Sequence, residues 1–113
     1  MATATETDLP IPDRLMVRQP IRFRCGELFL SPAVKTLISR HQIDPKPHFL
    51  SHLRGDWGDA EIEQWAANER ALQDGGRLTS TYQLTAKITL SITTEADRSV
   101  TTIKLEGENL KAV

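Results

Sequence analysis

Apolar and polar residues alternate with a period of two through the last third of the chain, from Arg77 onward. The residues on one face are Leu78, Ser80, Tyr82 and Leu84 in the first run and Ile88, Leu90 and Ile92 in the next. A period of two with abundant β-branched residues is typical of half-buried strands. The pattern predicts three antiparallel strands, with residues 100–105 as the third and turns at residues 85–86 and 95–98.

The first half of the chain has helical spacing instead. Helix starts are indicated at Ser31-Pro32, Asp44-Pro45 and Asp59. A short polar side chain accepts from an unpaired amide at such a start, and proline suits the first turn. The predicted third helix runs from Ala60 to about Gln73, where a glycine pair ends it. The predicted apolar sides are Val34, Leu37, Ile38 and His41; Phe49, Leu50 and Leu53; and Ile62, Trp65, Ala66 and Leu72.

These elements predict an α+β fold. Residues 21–30 alternate loosely and indicate a strand or short hairpin ahead of the first helix. The expected order is an N-terminal strand and three short helices followed by a three-stranded antiparallel sheet. Residues 1–20 follow neither period and predict a flexible arm. Residues 21–106 form the single expected domain, and residues 107–113 a frayed C-terminal tail.

Composition narrows the class of protein. The 113 residues are 39% hydrophobic and 26% charged, with a net charge of -1, which is typical of a packed globular domain. This charge balance argues against general nucleic-acid binding, which needs surplus Lys and Arg, but it does not exclude a local basic patch. The single cysteine, Cys25, cannot form an intrachain disulfide, and no apolar run is long enough to span a bilayer. We expect a cytoplasmic protein without membrane contact.

The histidines raise the question of a metal site. His41, His48 and His52 lie close together in the sequence, and the last two share one helix face because they are four residues apart. Zinc proteases use this spacing, with a glutamate where Phe49 stands. Asp56 is the one evident third ligand. We expect a solvated or capping histidine pair, with no metal and no cofactor.

A metal-free ribonuclease is the alternative enzymatic hypothesis. Helices followed by an antiparallel sheet resemble the small barnase and RelE-like nucleases, which need a general acid, a general base and cations on the phosphate. The candidate groups are His48 or His52 as acid or base, Glu95 as base, and Arg54 and Arg98 as phosphate ligands. The same residue types are common at surfaces and in turns, so purely structural roles stay open.

Two longer segments carry a resemblance to a family, residues 52–59 (HLRGDWGD) and residues 92–103 (ITTEADRSVTTI). The other matching positions are Asn68, Leu72, Gly76-Arg77-Leu78 and Tyr82. The chain resembles small proteins encoded on plasmids, integrative elements and phages, which are labelled plasmid-related or, for some, a type I restriction subunit. The resemblance covers about residues 28–105. It ends at residues 106–108 (EGE), where the family has a Leu-Pro pair and an acidic-aromatic tail.

The restriction label does not fit the residues of this chain. An adenine methyltransferase subunit has an Asn-Pro-Pro-Tyr type motif and a glycine-rich cofactor strand, and this sequence has neither. The resemblance instead implies a non-enzymatic interaction protein of a mobile genetic element, with a host defence complex of the restriction or CRISPR type as its partner. The oligomeric state stays open.

We place the expected binding site at the loop around Trp57, with Arg54, Asp56, Asp59 and Arg98 as the other candidates. Flanking glycines free the backbone, so the indole either packs into the core, which the sequence slightly favours, or is displayed to a partner. Displayed beside two carboxylates, it would suit a basic partner surface, such as the nucleic-acid channel of a defence complex.

Overall fold

A computed structural model of the chain describes residues 20–108. They form three helices and one four-stranded sheet. The strands are β1 (Glu27–Leu30), β2 (Leu78–Gln83), β3 (Thr89–Thr94) and β4 (Val100–Leu105), and the helices are α1 (Pro32–Ser39), α2 (Lys46–Leu53) and α3 (Ile62–Asp74). The α+β class is confirmed. Residues 1–19 of the expected arm and residues 109–113 of the expected tail lie outside the described residues.

The sheet differs from the expected three strands by one. Its order is β1-β4-β3-β2, with β2, β3 and β4 antiparallel as predicted. β1 joins the far side of β4 and runs parallel to it, with Leu28 beside Thr101 and Leu30 beside Ile103. Two antiparallel strands are joined by a local turn, whereas a parallel pair forms between distant segments. Alternation alone therefore indicated a strand near residue 30 but not its partner.

The helices cover one face of the sheet, where the inward strand residues form most of the core. Buried apolar residues are Val34, Leu53, Trp57, Ala71, Leu78, Tyr82, Leu90, Ile92 and Ile103. The period-two assignment of the inward face is confirmed for Leu78, Ser80, Tyr82, Leu90 and Ile92, all of which are buried. No helix within residues 20–108 is both long and apolar enough to cross a membrane.

The predicted starts of the first two helices agree with the structure. The Ser31 hydroxyl accepts from the Val34 N–H at 3.2 Å and Pro32 opens α1. The Asp44 carboxylate accepts from the Lys46 N–H at 3.1 Å, at the first residue of α2. Helix α3 ends as expected, because Gly75 adopts the left-handed conformation with φ 85° that glycine tolerates best.

The predicted start of α3 was wrong. Its predicted buried face was right only in part, because Trp65 and Leu72 are partly buried against the core. The helix begins at Ile62, after an extended Glu61, and the Asp59 carboxylate accepts from the Gln83 N–H in β2 instead of capping the helix. Ile62 is 81% exposed and Ala66 is exposed. The buried face is centred on Asn68 and Ala71, because the Asn68 amide bonds to the β2 backbone. The spacing of apolar residues therefore predicts this buried face of α3 only in part, because a polar residue lies at its centre.

The last described residue is held by the fold. The Glu108 carboxylate accepts from the Ser31 hydroxyl at 2.7 Å, the Leu105 N–H at 3.0 Å and the Ala33 N–H at 3.3 Å. Desolvation opposes the charged form, but these bonds hold the pKa of Glu108 below its usual value. The carboxylate lies at the start of α1, where a negative charge is favoured.

Candidate functional site

The loop of residues 54–59 closes the outer edge of β2. The Trp57 carbonyl accepts from the Thr81 N–H at 3.2 Å, and the Asp59 N–H donates to the Thr81 carbonyl at 2.6 Å. These bonds form a parallel bridge between Gly58 and Thr81. A side chain on Gly58, which has φ 70°, would collide with the Thr81 carbonyl and the Tyr82 ring. The glycine is therefore required by the close approach of two backbones.

Two side chains extend this cover along β2. The Asp59 carboxylate accepts from the Gln83 N–H at 2.9 Å. The Asn68 side chain donates to the Thr79 carbonyl at 2.7 Å and accepts from the Thr79 N–H at 3.1 Å. An uncovered edge presents N–H and C=O groups that pair readily with other chains. The loop of residues 54–59 and the Asn68 side chain thus close one edge of this sheet.

Trp57, the centre of the predicted binding site, is fully buried. Its Nε1 donates to Glu69 Oε2 at 3.0 Å, and its ring stacks on Phe23 with centroids 6.1 Å apart. Ala71 and Leu78 complete the same apolar cluster. Of the two alternatives for this residue, packing into the core is the one found in the structure. The indole presents no surface to a partner in this conformation.

Glu69 connects the loop cluster to the segment before β1. Its two carboxylate oxygens accept from the Arg22 guanidinium at 3.0 and 3.1 Å, and one of them also accepts from Trp57. The hydrogen bonds from Arg22 and then Trp57 lower the pKa of Glu69. The Arg22 N–H also donates to the Leu53 carbonyl at 2.8 Å. The segment is therefore attached both to α2 and to the residues around Trp57.

A buried chain of hydrogen bonds runs from α2 through the sheet to the segment before β1. His52 is fully buried, with Nδ1 bonded to the Ser80 hydroxyl and Nε2 2.9 Å from the Thr94 hydroxyl. Thr94 lies 2.7 Å from the Thr101 hydroxyl, which donates to the Cys25 carbonyl at 2.7 Å. Burial of a polar group costs free energy unless the group is hydrogen-bonded. The hydroxyls of Ser80, Thr94 and Thr101 all have hydrogen-bond partners.

The donor and acceptor roles along this series of hydrogen bonds determine the tautomer of the His52 imidazole. The Thr101 hydroxyl donates its one proton to the Cys25 carbonyl, so it can only accept from the Thr94 hydroxyl. Thr94 then accepts from His52, which places the ring proton on Nε2 and leaves Nδ1 to accept from Ser80. Desolvation by burial lowers the pKa of His52 to about 4. His52 is therefore a neutral structural histidine at neutral pH.

Arg98 is used by the fold rather than displayed. Its guanidinium donates to four backbone carbonyls at 2.7–3.2 Å, those of Ala71, Gly76, Glu95 and Ala96. The guanidinium carbon also lies 5.8 Å from the centre of the Phe23 ring, on the ring face. The residue has φ 61°, an uncommon conformation outside glycine. Arg98 thus joins the end of α3 to the turn between β3 and β4.

Arg98→Lys is expected to lower the free energy of unfolding by about 2–3 kcal/mol, because one ammonium cannot serve carbonyls on two sides of the guanidinium fork. Arg77→Lys is the matched control, since Arg77 makes one exposed ion pair at 3.3 Å with Glu95. Urea unfolding of both variants measures the difference. Equal stability of the two variants would contradict the structural role of Arg98.

The remaining candidates are divided between surface and interior. Asp56 is exposed and its carboxylate accepts from the Gly58 N–H at 3.2 Å, while its carbonyl accepts from the Tyr82 hydroxyl at 2.6 Å. Arg54 is half-buried, and its Nε is buried without a hydrogen bond to any described residue. Trp57 and Arg98 both contact the ring of the half-buried Phe23.

The groups required by the ribonuclease hypothesis do not form an open site. His52 is buried with both ring nitrogens bonded to hydroxyls, and the Arg98 guanidinium is bonded to carbonyls. Glu95 forms an ion pair with Arg77, and the His48 ring packs against Tyr82 with centroids 5.1 Å apart. Within residues 20–108, no three side chains of metal-ligating type are grouped for an ion.

Residues 56–63, which include the buried Trp57, form an acidic segment with four acidic residues at the surface. Its four carboxylates, those of Asp56, Asp59, Glu61 and Glu63, are all exposed, and none forms an ion pair with another described residue. Ile62, 81% exposed, lies among them at the first turn of α3. The exposed aliphatic side chain of Ile62 thus lies between two exposed acidic residues of the sequence, Glu61 and Glu63.

Several residues of this region were not predicted as members of a site. Ser80, Thr94 and Thr101 occupy inward positions of β2, β3 and β4 and are fully buried. Polar residues at inward strand positions are the signal that could have indicated a buried polar partner. Such a signal does not say which helix supplies that partner, because the sequence pairs no strand with a helix. The sequence indicates His52 as a candidate residue but not its burial or its hydroxyl partners.

Comparison of the chain with protein-family models finds no match, and comparisons with curated proteins and with solved structures find none either.

Proposed function

We propose that this chain is a non-enzymatic interaction protein of a mobile genetic element, acting in the cytoplasm on a protein of a host defence complex of the restriction or CRISPR type. The observation that carries the proposal is the acidic segment, residues 56–63, in which the exposed Ile62 lies between Glu61 and Glu63. The resemblance of residues 52–59 and 92–103 to proteins of plasmids, integrative elements and phages supports the biological setting.

The chemistry of the segment favours a basic partner surface. Four exposed carboxylates within eight residues, none in an ion pair with a described residue, attract a cationic groove over several ångströms and speed the encounter. Once the surfaces meet, burial of the Ile62 side chain supplies a short-range apolar contact. A nucleic-acid channel of a defence complex has the required positive charge, and occupation of that channel would block it.

The proposed binding site differs in part from the site that the sequence predicts. Asp56 and Asp59 remain on the recognition surface because both are exposed. Trp57 and Arg98 act indirectly, since they hold the loop and the end of α3 in place. Glu61, Ile62 and Glu63 join the site.

A pull-down from lysate of the native host tests the proposal. The variant Glu61→Gln/Ile62→Ser/Glu63→Gln removes two charges and the apolar contact without touching a described hydrogen bond of those side chains. We expect it to retain its melting temperature and to bind the partner at least about tenfold more weakly, a change of about 1.4 kcal/mol. Added salt is expected to weaken the complex of the wild type more than the complex of the variant.

The matched control is Asp74→Asn/Glu106→Gln/Ile21→Ser, which also removes two exposed charges and an exposed isoleucine. This control is expected to capture the partner as the wild type does. Equal loss of the partner in both variants would contradict recognition by the acidic segment. Cleavage of RNA by the purified wild-type chain would contradict the non-enzymatic assignment.

A further inference from the structure

The second edge of the sheet, formed by β1, differs from the covered edge of β2. The N–H of Glu27 donates to the Ser99 carbonyl and the N–H of Ser31 to the Ile103 carbonyl, both at 3.0 Å. Because backbone groups alternate in direction along a strand, those of Phe29 also point toward β4. Leu28 and Leu30 therefore turn their backbone N–H and C=O groups away from the sheet. No residue between 20 and 108 pairs with these outward groups.

The side chains of this edge are apolar as well. Leu28 is 47% exposed and Phe29 is 45% exposed, on opposite faces of the strand. Natural sheets protect a free edge with lysine, proline, a bulge or a covering loop, and the same chain uses a covering loop on β2. β1 is short and begins with one charged residue, Glu27, but its next three residues, Leu-Phe-Leu, are apolar and carry no charge, proline or covering loop among the described residues. Gly26, with φ 66°, and Pro32 confine the available edge to the strand itself.

We propose that β1 pairs antiparallel with β1 of a second copy of this chain, so that the two sheets become one continuous sheet. With Phe29 on the twofold axis, Leu28 of each copy lies opposite Leu30 of the other. The outward groups of both residues then exchange paired N–H···O bonds. The two Phe29 rings meet on the face that the helices leave uncovered, where aromatic cross-strand pairs are favourable.

A second copy is favoured over another partner because the edge is complementary to itself in this register. Both exposed apolar side chains gain apolar neighbours, and Glu27 lies opposite the uncharged Ser31, so no like charges face each other. A register centred on Leu28 instead would place Gly26 opposite Leu30 and forfeit one apolar contact at each end. Twofold symmetry is also the usual arrangement of homodimers.

Sedimentation equilibrium of the full chain tests this pairing. A four-residue edge buries little surface, so we expect a weak dimer with a dissociation constant of about 1–100 µM. At higher concentrations the mass should approach twice the 12.7 kDa of the monomer. Leu28→Lys introduces a charge at each end of the pairing and is expected to weaken the dimer at least about tenfold. Ile21→Lys, at another exposed apolar residue outside β1, is the control and should dimerise as the wild type does.

Two outcomes would overturn the pairing. One is a wild-type chain that remains monomeric up to about 500 µM, a concentration well above the dissociation constant expected for an interface of this size. The other is a dimer that Leu28→Lys leaves intact. Amide hydrogen exchange of the wild type keeps the test decisive if that variant does not fold. Protection of the Leu28 and Leu30 amides must rise with protein concentration, and protection that does not change would exclude pairing through this edge.

Discussion

Trp57→Ala is expected to lower the free energy of unfolding by about 3–5 kcal/mol, the cost of emptying a large buried aromatic site. The indole is fully buried and touches Phe23 and His52 as well as its own apolar cluster. A domain of this size has about 5–15 kcal/mol of total stability. The substitution therefore removes a large part of what keeps the chain folded, and urea unfolding measures the loss.

Two further variants separate the causes of that loss. Trp57→Phe keeps most of the apolar volume but removes the Nε1 donor to Glu69, whose carboxylate retains Arg22. We expect it to cost less than the alanine variant. Trp65→Ala, at the half-buried second tryptophan, is the matched control and should also cost less. A Trp57→Ala variant as stable as Trp65→Ala would contradict the central position of the indole.

The second large effect is a dependence of stability on pH that arises from His52. Its pKa is about 4 in the folded chain against an ordinary value of 6.5. Between these values the unfolded chain binds a proton that the folded chain does not, so stability falls as the pH is lowered through this window. A difference of this size corresponds to a loss of about 3 kcal/mol between pH 7 and pH 4. Above pH 7 this contribution is complete and constant.

His52→Gln isolates the effect, because the amide can donate toward Thr94 but does not titrate. At pH 8 the variant should be less stable than the wild type, since packing and the Ser80 bond are lost. As the pH falls toward 4, the difference between the two proteins should narrow. His41→Asn, at an exposed residue with φ 58° where asparagine is tolerated, is the control. Only the difference between these two variants is attributed to His52.

Nuclear magnetic resonance of the His52 ring gives an independent measurement. The nitrogen shifts should report a neutral ring with its proton on Nε2 at pH 6, as the chain from Ser80 to the Cys25 carbonyl requires. A protonated ring at pH 6 would contradict both the direction of that chain and the predicted loss of stability in acid.

Short-range patterns were sufficient for most of the secondary structure. The period of two placed the inward residues of β2 and β3, and the Ser31-Pro32 and Asp44-Pro45 pairs marked two helix starts. These features depend on side chains and backbone groups within a few residues of each other, such as the Ser31 hydroxyl and the Val34 N–H. Local chemistry of this kind is the same in any fold, so the sequence alone determines it.

The tertiary structure alone decided which residues are available for function. Asp59 satisfies β2 rather than α3, Ile62 lies at the surface, and Trp57 lies in the core. Each outcome depends on contacts between residues far apart in the chain, whose formation no local pattern encodes. The same holds for β1, which lies beside β4 and leaves its other edge open. A residue's chemistry is fixed by its type, but burial and pairing by distant neighbours decide whether a partner can reach it.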